Sequence, residues 1–488
     1  MLLNNFKVLI LSFLLAIGVG VSIPYLSNLV EAEVNLKAPI YLVVIAGIIV
    51  FSIYLNIKQL GEFDVFSPFV IPNVLFLIIY VFKPIYVLTT GEIGVGTFNV
   101  HQLADKEVEV FDQALQYILI GIFVYNASLH YLVNLNTKDV LALNKNKLKN
   151  NFEMIVLNKW IRFMAILSII FAFGIIMSLI MKAGGFSNYV NNLALRNVYL
   201  KDAGYLLILA NFCKLILFIY TVRLIFLKRN YKVDVFIWLI LLISTLTILI
   251  LTGGRSSILY GILILMIIKH YFYKKIKTRN VMSLGFLLFF LIVIVYRIVL
   301  RDKFFVSNSN LSFGDILYNS LSDFPRYFFG GYDTVQFDAL VTLLSQKDTY
   351  DFLLGDTILA TILSPLPRDW FPDKGYGAMT YFTEKFFPEF YYPNHVEINV
   401  SFLGELYLNF GLLGIITGFL LLGIGLGMLY RGFLTKGSGF WALLYAITIV
   451  RLTSLLRGDL FNFYIFYMQD IVPIVLIIII LRWSLRSQ

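Results

Sequence analysis

An all-α polytopic membrane protein, with about twelve transmembrane helices and a large extracytoplasmic loop domain between spans nine and ten, is the fold class that the sequence predicts. Three observations predict it. Of the 488 residues, 59% are hydrophobic and only 14% are charged, a balance foreign to soluble globular chains. Apolar runs of roughly twenty residues recur, the length that crosses a bilayer as helix. They are continuous rather than alternating, which argues against a membrane β-barrel. The third observation is a break in this pattern over 301–400, which holds six of the twelve prolines and a dense set of Phe and Tyr. Loops of that length are functional or disordered, and disordered segments lack aromatics. A folded cap is therefore expected over 301–400, between a membrane domain at 1–300 and a second one at 401–488.

The expected spans lie near 7–29, 38–56, 66–88, 112–132, 160–181, 204–227, 234–252, 256–273, 281–300, 401–430, 438–457 and 460–482. The first lacks a small-x-small cleavage site and is longer than a signal-peptide core, so it reads as a span. Lysines and arginines then set the orientation. Lys138, Lys145, Lys147, Lys149 and Lys159 follow span four. Lys228, Arg229 and Lys232 follow span six, and Lys274, Lys275, Lys277 and Arg279 follow span eight. Arg431 and Lys436 follow span ten, and Arg482 and Arg486 span twelve. All fall on one side if both termini are cytoplasmic, and 301–400 and 182–203 then face outward. The net charge of +10 belongs to these loops facing anionic lipid, not to a nucleic-acid partner. The single cysteine, Cys213, excludes intrachain disulfides and Cys-based metal sites.

Three features could carry chemistry. Thr252-Gly253-Gly254-Arg255-Ser256-Ser257 joins spans seven and eight at the expected outer face. Its glycines permit a left-handed backbone, and successive free N–H groups at a helix start form an anion nest. Arg255 adds a planar fork suited to phosphate. The same residues also describe a serine-capped turn with a snorkelling arginine. It is not a P-loop, because the Gly–Lys spacing is wrong. Arginines also accumulate on the expected outer side: Arg196, Arg255, Arg297, Arg301, Arg326, Arg368, Arg451 and Arg457. The positive-inside bias should deplete them there. Ion pairs with Asp302, Asp323, Asp369 or Asp459 are one reading, and an anionic ligand on the outer leaflet is the other. Finally, His395 precedes span ten, and Glu405 lies about one turn into it. A buried carboxylate is costly unless paired or functional, and either residue beside arginines could act as a general base. Lys214 and Asp470 are intramembrane and expected to pair with other spans. No metal-binding pattern (HExxH, Asp-x-Asp) and no dinucleotide fingerprint is present, so neither a metal nor a cofactor is expected.

Three local motifs, in order, resemble the oligosaccharide repeat-unit polymerases (Wzy-type O-antigen or capsule polymerases). They are Thr252-Gly253-Gly254-Arg255-Ser256, Leu366-Pro367-Arg368-Asp369-Trp370-Phe371-Pro372-Asp373-Lys374, and Ser401-Phe402-Leu403-Gly404-Glu405-Leu406-Tyr407-Leu408-Asn409-Phe410-Gly411. The resemblance covers roughly 180–430. It implies a GT-C-like glycosyltransferase of the bacterial cytoplasmic membrane. Such an enzyme moves glycan from undecaprenyl pyrophosphate to a hydroxyl of the next lipid-linked repeat unit, without metal. It further implies diphosphate binding by Arg196, Arg255, Arg297, Arg301, Arg368, Arg451, Gly253 and Gly254, with Glu405 or His395 as base. Trp370, Tyr376, Tyr391 and Tyr392 are candidates to stack on sugars or to pack at the interface. Partners would be undecaprenyl-pyrophosphate-linked oligosaccharides, membrane lipids, a chain-length regulator and a flippase. Related ligases carry a His-Asn pair in an outer loop; here the order is Asn394-His395. A glycan ligase using the same lipid donor and a polysaccharide or lipid-linked oligosaccharide transporter are the competing readings. No internal or inverted repeat is apparent, whereas transporters more often show repeats, broken mid-membrane helices and little outer domain.

Overall fold

A computed structural model describes residues 37–94, 100–133, 160–182, 184–191, 204–226, 232–251, 255–273, 275–289, 324–331, 333–366, 370–371, 373–394, 396–436 and 439–486. In chain order the helices are α1 (Lys37–Leu60), α2 (Ile71–Thr90), α3 (Asp105–Val133), α4 (Trp160–Lys182), α5 (Phe186–Asn191), α6 (Gly204–Phe226), α7 (Lys232–Leu251), α8 (Arg255–Ile268) and α9 (Thr278–Phe289). Then come α10 (Phe324–Phe329), α11 (Gln336–Ser345), α12 (Asp356–Leu363), α13 (Ala378–Phe386), α14 (Pro388–Asn394), α15 (Ser401–Lys436), α16 (Gly439–Arg457) and α17 (Leu460–Arg486). Two short strands, β1 (Glu92–Ile93) and β2 (His101–Gln102), pair antiparallel with Glu92 opposite Gln102.

Among the described residues six helices are long and apolar enough to cross a membrane: Lys37–Leu60, Ile71–Thr90, Asp105–Val133, Trp160–Lys182, Lys232–Leu249 and Ser401–Thr435. They match predicted spans two to five, seven and ten. Predicted span 7–29 lies outside the described residues. The stretches predicted as the other spans carry α6, α8, α9, α16 and α17, which do not meet that criterion over the residues described. The described part of 301–400 is folded as a run of short helices, α10 to α14.

Local chemistry accounts for the ends and breaks. At the start of α3, Glu107 accepts the Ala104 N–H (2.9 Å), and Asp105 adds a second acidic group to the first turn, where the helix dipole favours negative charge. Helix α2 widens into a π turn over Ile78–Phe82, directly before Lys83-Pro84. Pro84 has no N–H to donate, and its ring crowds the carbonyl four residues back. Helix α15 has 36 residues, about 54 Å at 1.5 Å per residue, far more than a bilayer core of about 30 Å. It is broken at Gly411, whose φ is 62°. A side chain there would be strained, and its Cβ would stand 3.0 Å from the Phe352 ring. The predicted span at 401–430 is therefore a ten-residue helix, 401–410, followed by a membrane-length one.

The chain forms two compact units, each built from separate stretches: 1–138 with 294–431 and 452–465, and 139–293 with 432–451 and 466–488. In the first, α1 packs along α3, and α11 packs on α3 as well. Phe76 of α2, Tyr125 of α3 and Phe419 of α15 meet in its core, with Phe76–Tyr125 ring centroids 5.6 Å apart and Phe76–Phe419 centroids 6.0 Å apart. A buried polar net joins α1, α2 and α3: Ser52 Oγ donates to Asn126 Oδ1 (2.6 Å), and Asn73 and Asn126 exchange amide hydrogen bonds (2.8 and 3.1 Å). Such interhelical bonds contribute roughly 0.6 kcal/mol each in a membrane.

In the second unit α4, α6 and α7 pack together around Ala172, Ile175, Leu179, Ala210, Cys213 and Ile248. Asp234, fully buried, receives Arg162 in a two-pronged contact (2.5 and 2.9 Å), Arg223 (3.2 Å) and the Tyr220 hydroxyl (2.7 Å).

Candidate functional site

The ten-residue helix at the head of α15 organises the site. Ser401 sits at φ +68°, unusual for a residue with a side chain, and its hydroxyl caps the helix by accepting the Gly404 N–H (3.1 Å). Glu405 and Asn409 lie four residues apart, on one face. Asn409 Nδ2 donates to the Glu405 carbonyl (2.8 Å) and to Thr357 Oγ1 (2.8 Å). Thr357 in turn donates to Glu405 Oε1 (2.9 Å). The last carbonyls of this helix do not go unpaired. Leu353 N–H reaches the carbonyl of Leu408, Leu354 N–H that of Asn409, and Gly355 N–H the Asn409 side chain (3.0 to 3.1 Å). The segment that ends the helix thus also delivers Thr357, in the first turn of α12, to Glu405.

A second carboxylate adjoins the first. Glu405 Oε2 accepts the Leu460 N–H (2.6 Å), the first of α17. The preceding residue, Asp459, is the N-cap of α17: its Oδ1 accepts Asn462 N–H (2.9 Å) and Asn462 Nδ2 (3.0 Å). Asp459 Oδ2 takes the Met379 N–H of α13 (3.1 Å). Gly377 makes this approach possible, since a Cβ there would stand 2.7 Å from Asp459 Oδ2 and 2.8 Å from Phe461. Glu405 is 1% exposed and Asp459 0%. Burial raises the Asp459 carboxyl above its ordinary value, against the hydrogen bonds from Asn462 and Met379, which favour the anion. Arg457, two residues before, turns to Asp333 (2.6 Å), while its carbonyl accepts Gln336 Nε2 (3.1 Å). Stretches 353–357, 377–379, 401–409 and 457–462 are therefore tied together at two buried carboxylates, and 333–336 joins them through Arg457.

Next to this cluster a cavity of about 480 Å³ opens between α12 and residues 370–371 and 373–375. Asp356, Leu359, Trp370, Phe371, Asp373 and Lys374 line it. Asp356 adjoins Thr357 in sequence, so the first turn of α12 faces the cavity with one residue and holds Glu405 with the next.

The profile of the family described as O-antigen polysaccharide polymerase Wzy matches residues 4–487. The chain belongs to that family. No curated protein and no solved structure matches it. As a Wzy-family member with several membrane-length apolar helices, it is a multi-pass membrane protein of O-antigen polymerisation.

Against this Wzy-family frame the predicted site residues fall into three groups. Glu405 is central to the cluster, and in this arrangement both its oxygens are engaged and enclosed. Arg451 is buried in the other unit. Its Nε lies 2.6 Å from Asp470, and its guanidinium faces the Tyr260 and Phe466 rings at 5.3 and 5.4 Å. Lys214 shares Asp470 at 2.8 Å, so the pairing expected for Lys214 and Asp470 is with each other and with Arg451, a buried set with one positive charge in surplus. The third group is not described: Arg196, Gly253, Gly254, Arg297, Arg301, Arg368 and His395 lie outside the described residues, and Arg255 is described only as the first residue of α8. Arg326 is exposed and reaches Glu92 at 3.5 Å.

Sequence reading missed Thr357 and Asn409 as partners of Glu405, and it missed the pair Lys83–Asp338. Lys83 Nζ lies 2.8 Å from Asp338 Oδ2, with both side chains 1% exposed, and donates to the Phe329 carbonyl (2.6 Å). Burial pushes the Asp338 carboxyl up to about 6, against the pull of Lys83. The signal was available: Lys83 interrupts an apolar run, and an intramembrane lysine needs a partner. Asp338, in an ordinary amphipathic helix, gave no such sign.

Proposed function

We propose that this protein extends a surface polysaccharide by joining lipid-linked oligosaccharide repeat units at the outer face of the bacterial cytoplasmic membrane. The glycan leaves undecaprenyl pyrophosphate and passes to a hydroxyl of the next lipid-linked unit. The bond from the anomeric carbon to the diphosphate oxygen breaks, a glycosidic bond to the acceptor oxygen forms, and the hydroxyl proton passes to a base. The observation that carries this reading is the family match over 4–487. The lysine distribution supports the outward placement of 301–400 with both termini cytoplasmic.

The leaving diphosphate needs charge stabilisation more than an acid, and arginines in a low-dielectric site supply it. Arg196, Arg255, Arg297, Arg301 and Arg368 with the Gly253-Gly254 turn are the residues proposed for it. Arg451 serves only if the surplus charge of its cluster faces the same ligand. The base is His395 or Glu405. Glu405 is 1% exposed and hydrogen-bonded at both oxygens, so an acceptor hydroxyl reaches it only if this cluster opens. In the resting arrangement we therefore assign it to positioning, holding α12 and the start of α17 against the head of α15.

Deleting the gene tests the function. The expected result is accumulation of single lipid-linked repeat units on the outer leaflet. Accumulation on the inner leaflet would mark a transporter, and finished polymer retained on its lipid would mark a ligase; either would overturn the proposal.

A further inference from the structure

We infer that the cavity between α12 and residues 370–371 and 373–375 is a glycan subsite that seats a neutral or amino sugar ring of the repeat unit flat on Trp370. This deepens the polymerase reading and rests on it for the identity of the glycan. The cavity volume, about 480 Å³, falls within the range of small-ligand sites, roughly 300–1,000 Å³. Trp370 is 71% exposed and Phe371 41%, so a large aromatic face borders the cavity. The C–H face of a pyranose is apolar and slightly positive, which suits the negative face of an indole. The hydroxyls around the ring edge need acceptors and donors. Asp356 and Asp373 supply acceptors, and neither carboxylate has a hydrogen-bond or ion-pair partner among the described residues. A hydroxyl bound to an ionised acceptor makes a stronger contact than one bound to a neutral group.

Lys374 stiffens the wall. Its ammonium donates to the carbonyls of Leu366 (2.5 Å) and Ser364 (3.3 Å), just past the end of α12. That uses two of its three hydrogens, and the third remains for a sugar oxygen. Among the described lining residues, two carboxylates stand against one ammonium, a balance of −1. It therefore disfavours a uronic acid and the diphosphate itself, so the cavity is suited to the sugar portion of the substrate and not to its lipid headgroup. Its position adds a consequence. A ring held by Asp356 is one residue from Thr357, which is hydrogen-bonded to Glu405, so seating the glycan and the geometry of the carboxylate cluster share the first turn of α12. An exposed tryptophan beside Leu359 and Ile362, 54% and 63% exposed, would alternatively be an interfacial membrane anchor, and the experiment separates the two.

The test uses the full-length protein in lipid nanodiscs and oligosaccharides released by partial acid hydrolysis of the surface polysaccharide made by the same cells. Saturation-transfer NMR reads binding without requiring turnover. The wild type is expected to transfer saturation to ring protons of the oligosaccharide. Trp370→Ala should weaken the dissociation constant by about tenfold, Trp370→Phe by no more than about threefold, and Asp356→Asn and Asp373→Asn by intermediate amounts. Gel filtration confirms that each variant is folded. Wild-type protein that gives no transfer, or Trp370→Ala that binds like wild type, overturns the subsite. So does a Trp370→Ala defect confined to membrane insertion, which would make the residue an anchor. Because the readout is binding, these failures leave the polymerase reading intact. That reading stands or falls separately on the lipid-linked species of the deletion strain.

Discussion

Replacing Glu405 with glutamine separates a positioning carboxylate from a catalytic one, and the structure sets the size of each effect. Glu405 accepts two hydrogen bonds, from Leu460 N–H at 2.6 Å and from Thr357 Oγ1 at 2.9 Å. Glutamine can keep the first with its carbonyl. Its amide N–H then meets Thr357 Oγ1, which must accept instead of donate, and that oxygen already accepts from Asn409 at 2.8 Å. Two lone pairs make this possible. Each bond falls from the charge-assisted range of about 1.5–3 kcal/mol to the neutral range of about 0.5–1.5 kcal/mol. Removing a buried charge beside Asp459 offsets part of that loss. A net destabilisation of about 1–2 kcal/mol follows, compatible with folding. Alanine instead strands both donors, at about 1–3 kcal/mol each, and leaves a hole. That sum approaches the whole stability of an ordinary domain, so Glu405→Ala should yield little folded protein. The assay pairs fluorescence-detected gel filtration, for the amount of folded protein, with a gel of polymer ladders. The positioning role predicts that Glu405→Gln keeps a ladder within about tenfold of wild type. A general base contributes about 10²–10⁴-fold. A well-folded Glu405→Gln protein that loses the ladder by a hundredfold or more would refute the positioning argument.

Arg255→Lys should abolish most polymerisation at normal protein level, because a point charge cannot replace a two-pronged contact with diphosphate; ladders of wild-type length and yield would count against the diphosphate site. In a Cys213→Ser background, cysteines at Lys147 and Lys275 should be shielded from an impermeant thiol reagent in intact cells, while one at the exposed Lys347 should be labelled; the reverse pattern would invert the topology. Lys83→Met should reduce folded protein sharply, since it leaves Asp338 buried without its cation at a cost of about 3–5 kcal/mol. Adding Asp338→Leu should restore most of it, and a double variant no better than the single one would show that the pair is not the cause.

The sequence by itself determined the class of molecule. Continuous apolar runs can satisfy their backbone in lipid only as helix, and six of the expected spans appear as helices long and apolar enough to cross a membrane. The three motifs carried the family resemblance, and the family match extends it from roughly 180–430 to 4–487. Glu405 was legible as a point of interest because a carboxylate in an apolar run is costly. What surrounds it was not. Its partners are Thr357, 48 residues earlier in the chain, and the N–H of Leu460, 55 residues later, and neither a threonine nor a backbone donor stands out in a sequence. Periodicity also could not foresee that α15 breaks at Gly411, because one glycine in an apolar helix is compatible with a straight span. The break follows from the 352–355 segment, which claims the carbonyls of Leu408 and Asn409 and presses the Phe352 ring where a side chain at 411 would be. Composition and period report what each segment buries. Which hydrogen-bonding groups meet inside depends on contacts between distant segments, and only the tertiary structure decided those.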